Sequence, residues 1–188
     1  MIDKDQEIKI LQACQRGQSE AFGQLYDKYF QKIYKFIYYK TSHRENAEDL
    51  TSLTFHKALE NINKFKADQG LFSAWLYKIA RNNVIDHYRS SPENQNLETS
   101  FNIYQEENIE EAMDKNQQLE QIREKLDLLS PEQKEIVILR VWNELSYKEI
   151  SQTIGKSEAS CKMTFSRALK QLKSSLALLI IIFSLLIS

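Results

Sequence analysis

Residues 145–173, LSYKEISQTIGKSEASCKMTFSRALKQLK, constrain the fold more than any other stretch of the chain. Ser146 followed three residues later by Glu149 is a capping box. The hydroxyl accepts from the third helical N–H, and the carboxylate accepts from the N–H of Ser146. A short helix over 147–153 is expected to follow, with Ile150 and Ile154 turned inward. Gly155 comes where the chain must turn with a positive φ, which glycine adopts without strain. Ser157 can cap a second helix. Along that helix Cys161, Phe165, Leu169 and Leu172 recur at three- and four-residue spacing, a core-facing stripe. The other face carries Ser160, Lys162, Met163, Ser166, Arg167 and Lys170. The pattern is that of a helix-turn-helix, whose second helix can enter a DNA major groove. An ordinary helical hairpin with a solvated basic face fits the same residues, because no rare residue marks the motif.

The rest of the chain is built for helices as well. Four glycines and two prolines in 188 residues leave few breaks, so long helices are favoured over a β-sandwich. The net charge of −1 excludes a generic polyanion binder, but its distribution is uneven. Residues 1–90 carry 14 basic and 11 acidic side chains, 91–130 carry 3 and 10, and 131–188 carry 8 and 5. Two mildly basic ends flank an acidic middle, as expected where the ends touch phosphate and the middle does not. Cys14 and Cys161 sit in apolar helical patterns and read as small buried hydrophobes, so a disulfide scaffold is not expected. The start, MIDKDQEIKI, lacks the apolar run of a signal peptide, which points to the cytoplasm.

Taken in order, residues 6–16 read as a short amphipathic helix ended by Gly17, with Ile8, Leu11 and Cys14 inward. Ser19 is expected to cap a longer helix to about Tyr39. Seven aromatics between Tyr26 and Tyr39 fit a core with a tyrosine rim better than a base-stacking platform. A third helix is expected over 46–61, with Leu50, Leu53 or Thr54, Ala58 and Ile62 inward. Glu48 and Asp49 are expected in its first turn, beside the positive helix end. Residues 61–70, NINKFKADQG, read as a loop bearing two lysines and an exposed aromatic, Phe65. The helix over 71–89 turns Phe72, Trp75, Leu76, Ile79 and Val84 inward. It sets Lys78, Arg81, Asn82 and Arg89 on an outer face. Asn82, Asn83 and Asp86 can hydrogen-bond base edges or phosphates, although a solvated charged face would look the same.

From Ser90 the chain becomes acidic and rich in Asn, Gln and Glu, the composition of a linker. Leu119, Ile122, Leu126 and Leu129 mark a further helix. Ser130-Pro131-Glu132-Gln133 is a second capping box, with proline at the first helical position. The helix it opens buries Ile136, Val137, Leu139 or the stem of Arg140, and Val141. Eleven of the twelve residues 176–187 are apolar. As a helix that run spans about 18 Å, short of the roughly 30 Å hydrocarbon core. It either packs on protein or touches a membrane surface.

His43, His56 and His87 do not fall at metal-ligand spacings, and no glycine-rich phosphate loop is present. No nucleophile and base are brought together by the pattern, so neither an enzyme nor a cofactor is expected.

The order of parts resembles the extracytoplasmic-function (ECF) sigma factors of bacterial RNA polymerase. AEDLTSLTFHKAL (47–59) looks like their polymerase-binding helix. FSAWLYKIARNNVIDHYR (72–89) looks like their promoter-melting, minus-10-reading helix. LSPEQKEIVILRVWNELSYKEISQTIGKSEASCKMTFSRALKQL (129–172) looks like their minus-35-binding domain. The likeness covers about residues 6–173. It implies an all-α protein of two small helical domains joined by an acidic linker. Residues 1–90 would bind polymerase and read and melt the minus-10 element. Residues 91–117 would be the linker, 118–173 the helix-turn-helix domain, and 174–188 a hydrophobic tail.

The resemblance also implies roles for residues. Glu48, Asp49, Leu50 and Phe55 would grip the polymerase clamp. Asn61, Lys64 and Phe65 would lie in the loop that cradles a flipped minus-10 base. Lys78, Arg81, Asn82, Asn83, Asp86 and Arg89 would line the non-template strand. Ser157, Ser160, Lys162, Met163, Ser166 and Arg167 would face the minus-35 major groove. Partners implied are bacterial core RNA polymerase, promoter DNA and an inhibitory anti-sigma factor, with membrane contact through 176–187 left open. The chain departs from the family's usual pattern at Ser52 and Leu53, where a Gln-Glu pair is common, and at Thr164, where arginine is common. The rival reading is a stand-alone helix-turn-helix regulator that binds duplex operator DNA as a dimer.

Overall fold

The computed structural model describes residues 4–67, 70–90 and 125–173. Every regular element among them is helical: α1 (Lys4–Gln15), α2 (Phe22–Thr41), α3 (Arg44–Glu60), α4 (Phe72–Ser90), α5 (Pro131–Val137), α6 (Tyr147–Ile154) and α7 (Glu158–Leu172). None of these helices is long and apolar enough to cross a membrane. The expected linker and the hydrophobic tail lie outside the described residues.

Local chemistry explains most of the boundaries. Ser130 accepts from the Gln133 N–H at 3.3 Å while Gln133 returns a bond to the Ser130 N–H at 2.9 Å. Ser146 and Glu149 form the same box at 3.3 and 2.8 Å. Gly155 ends α6 at φ 79°, and Ser157 caps α7. Two starts differ from expectation. Ser19 opens a 3-10 turn, Ser19–Ala21, and no side chain caps α2. The His43 ring caps α3, its Nδ1 accepting from the Asn46 N–H at 3.3 Å. That cap starts α3 at Arg44, so Glu48 and Asp49 fall in its second turn, beyond the positive helix end.

α1 to α4 form the first half, with α3 packed between α2 and α4. Phe22, Leu25, Tyr29, Ile33, Phe36 and Ile37 give α2 a wide buried stripe. Tyr26, Phe30, Tyr34 and Tyr38 form a ladder along its outer side, with successive centroids 5.0, 6.4 and 6.0 Å apart. The core-with-rim reading of these aromatics therefore holds. On α3 the phase is set by Thr54, which is fully buried, while Leu53 stays 38% exposed. A hydroxyl can go inward there because Thr54 Oγ1 donates to the Leu50 carbonyl at 2.6 Å.

α5 to α7 form the second half. Residues Ile138–Trp142 continue α5 as a π-helical turn, closed by the Asn143 N–H on the Ile138 carbonyl at 3.2 Å. The wider turn brings Ile138 and Leu139 inward together, both with no exposure. Leu126, Leu129, Val137, Ala168 and Leu172 make a small core of this half's own.

The larger core does not stop at the boundary between halves. It joins Leu25, Ile33, Phe36, Leu76 and Tyr77 to Ile136, Ile138, Leu139, Leu145 and Ile150. Polar contacts seal the same seam. Asn143 Nδ2 donates to the Lys32 carbonyl at 2.7 Å, and Ser73 Oγ to Glu149 Oε1 at 2.6 Å. The Leu71 N–H reaches Gln152 Oε1 at 3.2 Å, and Trp142 packs on Tyr39 with centroids 5.1 Å apart. The Tyr77 hydroxyl and the Asn143 side chain, both buried, also meet at this seam.

Candidate nucleic-acid interface

Three surfaces carry the residues singled out from the sequence. The first is the outer face of α3. Glu48 and Asp49 are exposed, and Glu48 accepts from Arg44 Nε at 2.9 Å. Leu50 and Phe55 point the other way, 6% and 4% exposed. Phe55 packs its ring against Phe22, Tyr26 and Phe30. These two can shape the surface from below but cannot meet a partner directly. The apolar groups on the outside are Leu53 and Leu59, each 38% exposed and flanked by acidic side chains. The periodicity of α3 hid Leu53, because Leu53 and Thr54 fit its inward stripe equally well.

The second surface is α4 with the loop before it. Lys78, Asn82, Asp86 and Arg89 are exposed at successive three- and four-residue steps, so they share one face. Arg81 leans away from it. Its Nε donates to Glu135 of α5 at 3.1 and 3.2 Å. Asn83 is a core residue at 2% exposure, accepting from Lys57 Nζ at 2.6 Å and donating to Thr54 Oγ1 at 3.0 Å. The expectation that Asn83 lines a DNA strand is therefore corrected: its amide serves the joint between α3 and α4. In the loop, Asn61 accepts from the exposed Lys64 at 2.7 Å. Phe65, expected outside, is 6% exposed and wedged between Phe72 and Trp75, 5.5 Å from each ring. Gln15 of α1 holds this loop down by donating to the Ile62 and Phe65 carbonyls at 3.0 and 2.7 Å. Gln15 had no marked place in the sequence pattern, since its partners lie about fifty residues away.

The third surface is the outer face of α7. Ser157, Lys162, Met163, Ser166 and Arg167 are exposed, and Ser160 is half-buried at the first turn. Ser157 Oγ accepts from the Ser160 N–H at 3.2 Å. Arg167 Nη2 lies 3.5 Å from Met163 Sδ, and Lys162 Nζ 6.0 Å from the Tyr147 ring centroid. Tyr147 sits edge-on to Phe165 and supports both α6 and α7. The result is a rigid helix presenting donors, an apolar thioether and cations to solvent, the inventory that base edges and phosphates require.

Electrostatics concentrate at the seam. Burial pushes the Glu135 carboxyl up, but the Lys40 and Arg81 cations outweigh it and hold it below the ordinary range. Lys40 donates to Glu135 at 2.9 Å. Burial there outweighs the carboxylate, and the Lys40 ammonium is drawn below its usual value. Glu149, also pushed up by burial, is held low by hydrogen bonds from Ser73 and Ser146. Among the described residues no cluster of three or more His, Cys, Asp or Glu is arranged to hold a metal ion.

Comparison with known proteins accounts for both halves. Residues 25–92 match the Sigma-70 region 2 family and residues 119–172 the Sigma-70 region 4 family. The ECF RNA polymerase sigma factor BldN of Streptomyces coelicolor is 34% identical over 177 residues, 90% of this chain and 66% of that protein. The RNA polymerase sigma factor YlaC of Bacillus subtilis is 31% identical over 163 residues, 84% of this chain and 92% of that protein. Among solved structures, CnrH in complex with the cytosolic domain of CnrY has the same fold. Its TM-score is 0.70 at 20% identity, covering 89% of this chain and 95% of that one. The sigma factor RpoE of Bartonella quintana, in complex with the anti-sigma factor NepR, has a TM-score of 0.67 at 25% identity, covering 83% and 96%. The chain belongs to the extracytoplasmic-function sigma factors of bacterial RNA polymerase.

Proposed function

We infer that this chain directs bacterial core RNA polymerase to promoters and opens them, contributing recognition while polymerase supplies the chemistry. The first half holds polymerase through the outer face of α3, with Glu48, Asp49, Leu53 and Leu59 at the contact. Lys78, Asn82, Asp86 and Arg89, with Arg81 once released, follow the non-template strand of the minus-10 element. Lys64 and the rim around Phe65 border the flipped base. The outer face of α7, from Ser157 to Arg167, reads the minus-35 element. The observation that carries this reading is that α4 presents Lys78, Asn82, Asp86 and Arg89 outward and α7 presents Lys162, Met163, Ser166 and Arg167, each face backed by core, in a chain matching both sigma families.

The sigma factor RpoE of Bartonella quintana was solved with the anti-sigma factor NepR, and a partner of that kind is proposed here too. Work on polymerase sets the cytoplasm as the site of action. No described residue supports a membrane contact. The rival reading, a dimeric operator-binding regulator, has no support from the family matches.

The test is transcription with purified protein, core polymerase and fragmented DNA from the source organism. Discrete start sites that require the protein, and that disappear in N82A/R89A, are expected. Duplex footprints on paired half-sites without polymerase would overturn the reading in favour of the regulator.

A further inference from the structure

We propose that Gln15 is a positioning residue for base selection: from the end of α1 it fixes the turn that borders the flipped minus-10 base. The role rests on the promoter-reading function proposed above. Gln15 is the last residue of α1 and is exposed, and it lies before residue 25, where the region 2 match begins. A glutamine amide carries two N–H donors. Here both ends of one turn receive them, the Ile62 carbonyl at 3.0 Å and the Phe65 carbonyl at 2.7 Å. Between those ends Ile62–Lys64 form a 3-10 turn, with the Phe65 N–H also on the Ile62 carbonyl at 3.1 Å. The side chains that project from this tied backbone, Asn63 and Lys64, are exposed.

Two different forces hold the turn. From beneath, Phe65 meets Phe72 and Trp75, and Phe72 meets Tyr29 with centroids 5.6 Å apart. Burial of that kind is non-directional, so it keeps the turn down without setting its rotation. Hydrogen bonds weaken steeply as their angles open, so the Gln15 amide supplies the orientation that ring packing lacks. α1 can bear this load because it is anchored at both ends. Leu11 and Cys14 are buried in the core, and near the start Glu7 accepts from Lys28 and from the Tyr29 hydroxyl, the latter at 2.8 Å.

The consequence is specific. Discrimination between bases requires donors and acceptors held to within about 0.5 Å. Attraction to phosphate and stacking on a base tolerate looser geometry and act on every sequence. Loss of the Gln15 amide therefore removes selectivity at the cradled position and leaves general affinity for the strand. Because Gln15 is exposed and its neighbours Leu11 and Cys14 keep their burial, its replacement leaves the fold intact.

The test uses the full-length chain assembled with core polymerase. The probes are single-stranded oligonucleotides of the non-template strand across a minus-10 element found by the transcription experiment, with each position in turn carrying all four bases. Wild type is expected to prefer one base about tenfold at the position beside the turn. Q15L, similar in size but without donors, is expected to cut that preference to about twofold. Preferences at the other positions, affinity for core polymerase and the thermal midpoint are expected to stay unchanged. Q15K, which keeps N–H donors and comparable reach, is expected to restore the preference, its added charge strengthening all four probes alike. Full preference in Q15L would overturn the positioning role. So would an even loss at every position with a lowered midpoint, the mark of a residue that only stabilises the fold. Wild type with no base preference anywhere in the element would overturn the promoter reading, and the role with it.

Discussion

α4 and α7 are the two helices proposed to touch DNA, and they stand in opposite conditions. On α7 the outward residues are exposed, and their neighbours are one another or a supporting tyrosine. On α4 the polar side chains are divided: Asn82 and Arg89 face solvent, Asn83 is sunk into the core, and Arg81 is bound to the other half. A helix that reads duplex DNA through its groove can be finished before it meets its target. A helix that must take hold of a strand as the duplex opens is better kept occupied until then, since exposed cations bind any phosphate they meet.

The sharpest way to break this comparison is the pair of neighbouring asparagines. Asn83→Ala removes the partner of Lys57 Nζ and Thr54 Oγ1, and a loss of about 1–3 kcal/mol in chemical denaturation is expected. Asn82→Ala should leave stability within about 0.5 kcal/mol while reducing strand opening, measured by permanganate reactivity. Equal stability losses at both positions would mean that α4 is rotated from the orientation described. Next, Arg167→Ala on α7 should lower the salt slope of holoenzyme binding to promoter duplex by about one unit without shifting the denaturation midpoint. The smallest effect is in pH. Glu135 and Glu149 are held below the ordinary carboxylate value of 4.5 when folded, so their contribution is complete above that value. It declines as pH falls through their folded-state pKa values. Acid should thus loosen the seam, and E149Q should flatten the acid limb of a stability–pH profile.

What could be read from the sequence was what neighbouring residues decide. The two capping boxes, the left-handed Gly155 and the Ser157 cap each depend on residues within one turn, and each is present as expected. The inward turn of Phe72, Leu76 and Val84 on α4 followed from helical period for the same reason. The all-α fold and the order of parts were legible through the resemblance. What escaped was decided at a distance. Lys40 and Glu135 lie 95 residues apart, and neither has a neighbour in sequence that signals burial. Adjacent residues of similar polarity, Asn82 and Asn83, are separated by 100° of helix and so by function. Phe65 looked exposed because loops usually are, yet Phe72 and Trp75 form its pocket. The π turn at Ile138 shifted the helical phase, so that Ile138 is fully buried beside Leu139 while Val141, expected inward, is only half-buried.

The chain has two tryptophans, and their placement makes the protein its own optical instrument. Trp142 lies against Tyr39 across the seam, while Trp75 lies against Phe65 beneath the loop before α4. Parting of the halves should wet the first indole and red-shift its emission while the second stays dry. Capture of a base beside the loop should quench the second by stacking and leave the first unaltered. With each indole replaced in turn by phenylalanine, a single stopped-flow trace would assign each event its own time constant and settle which comes first.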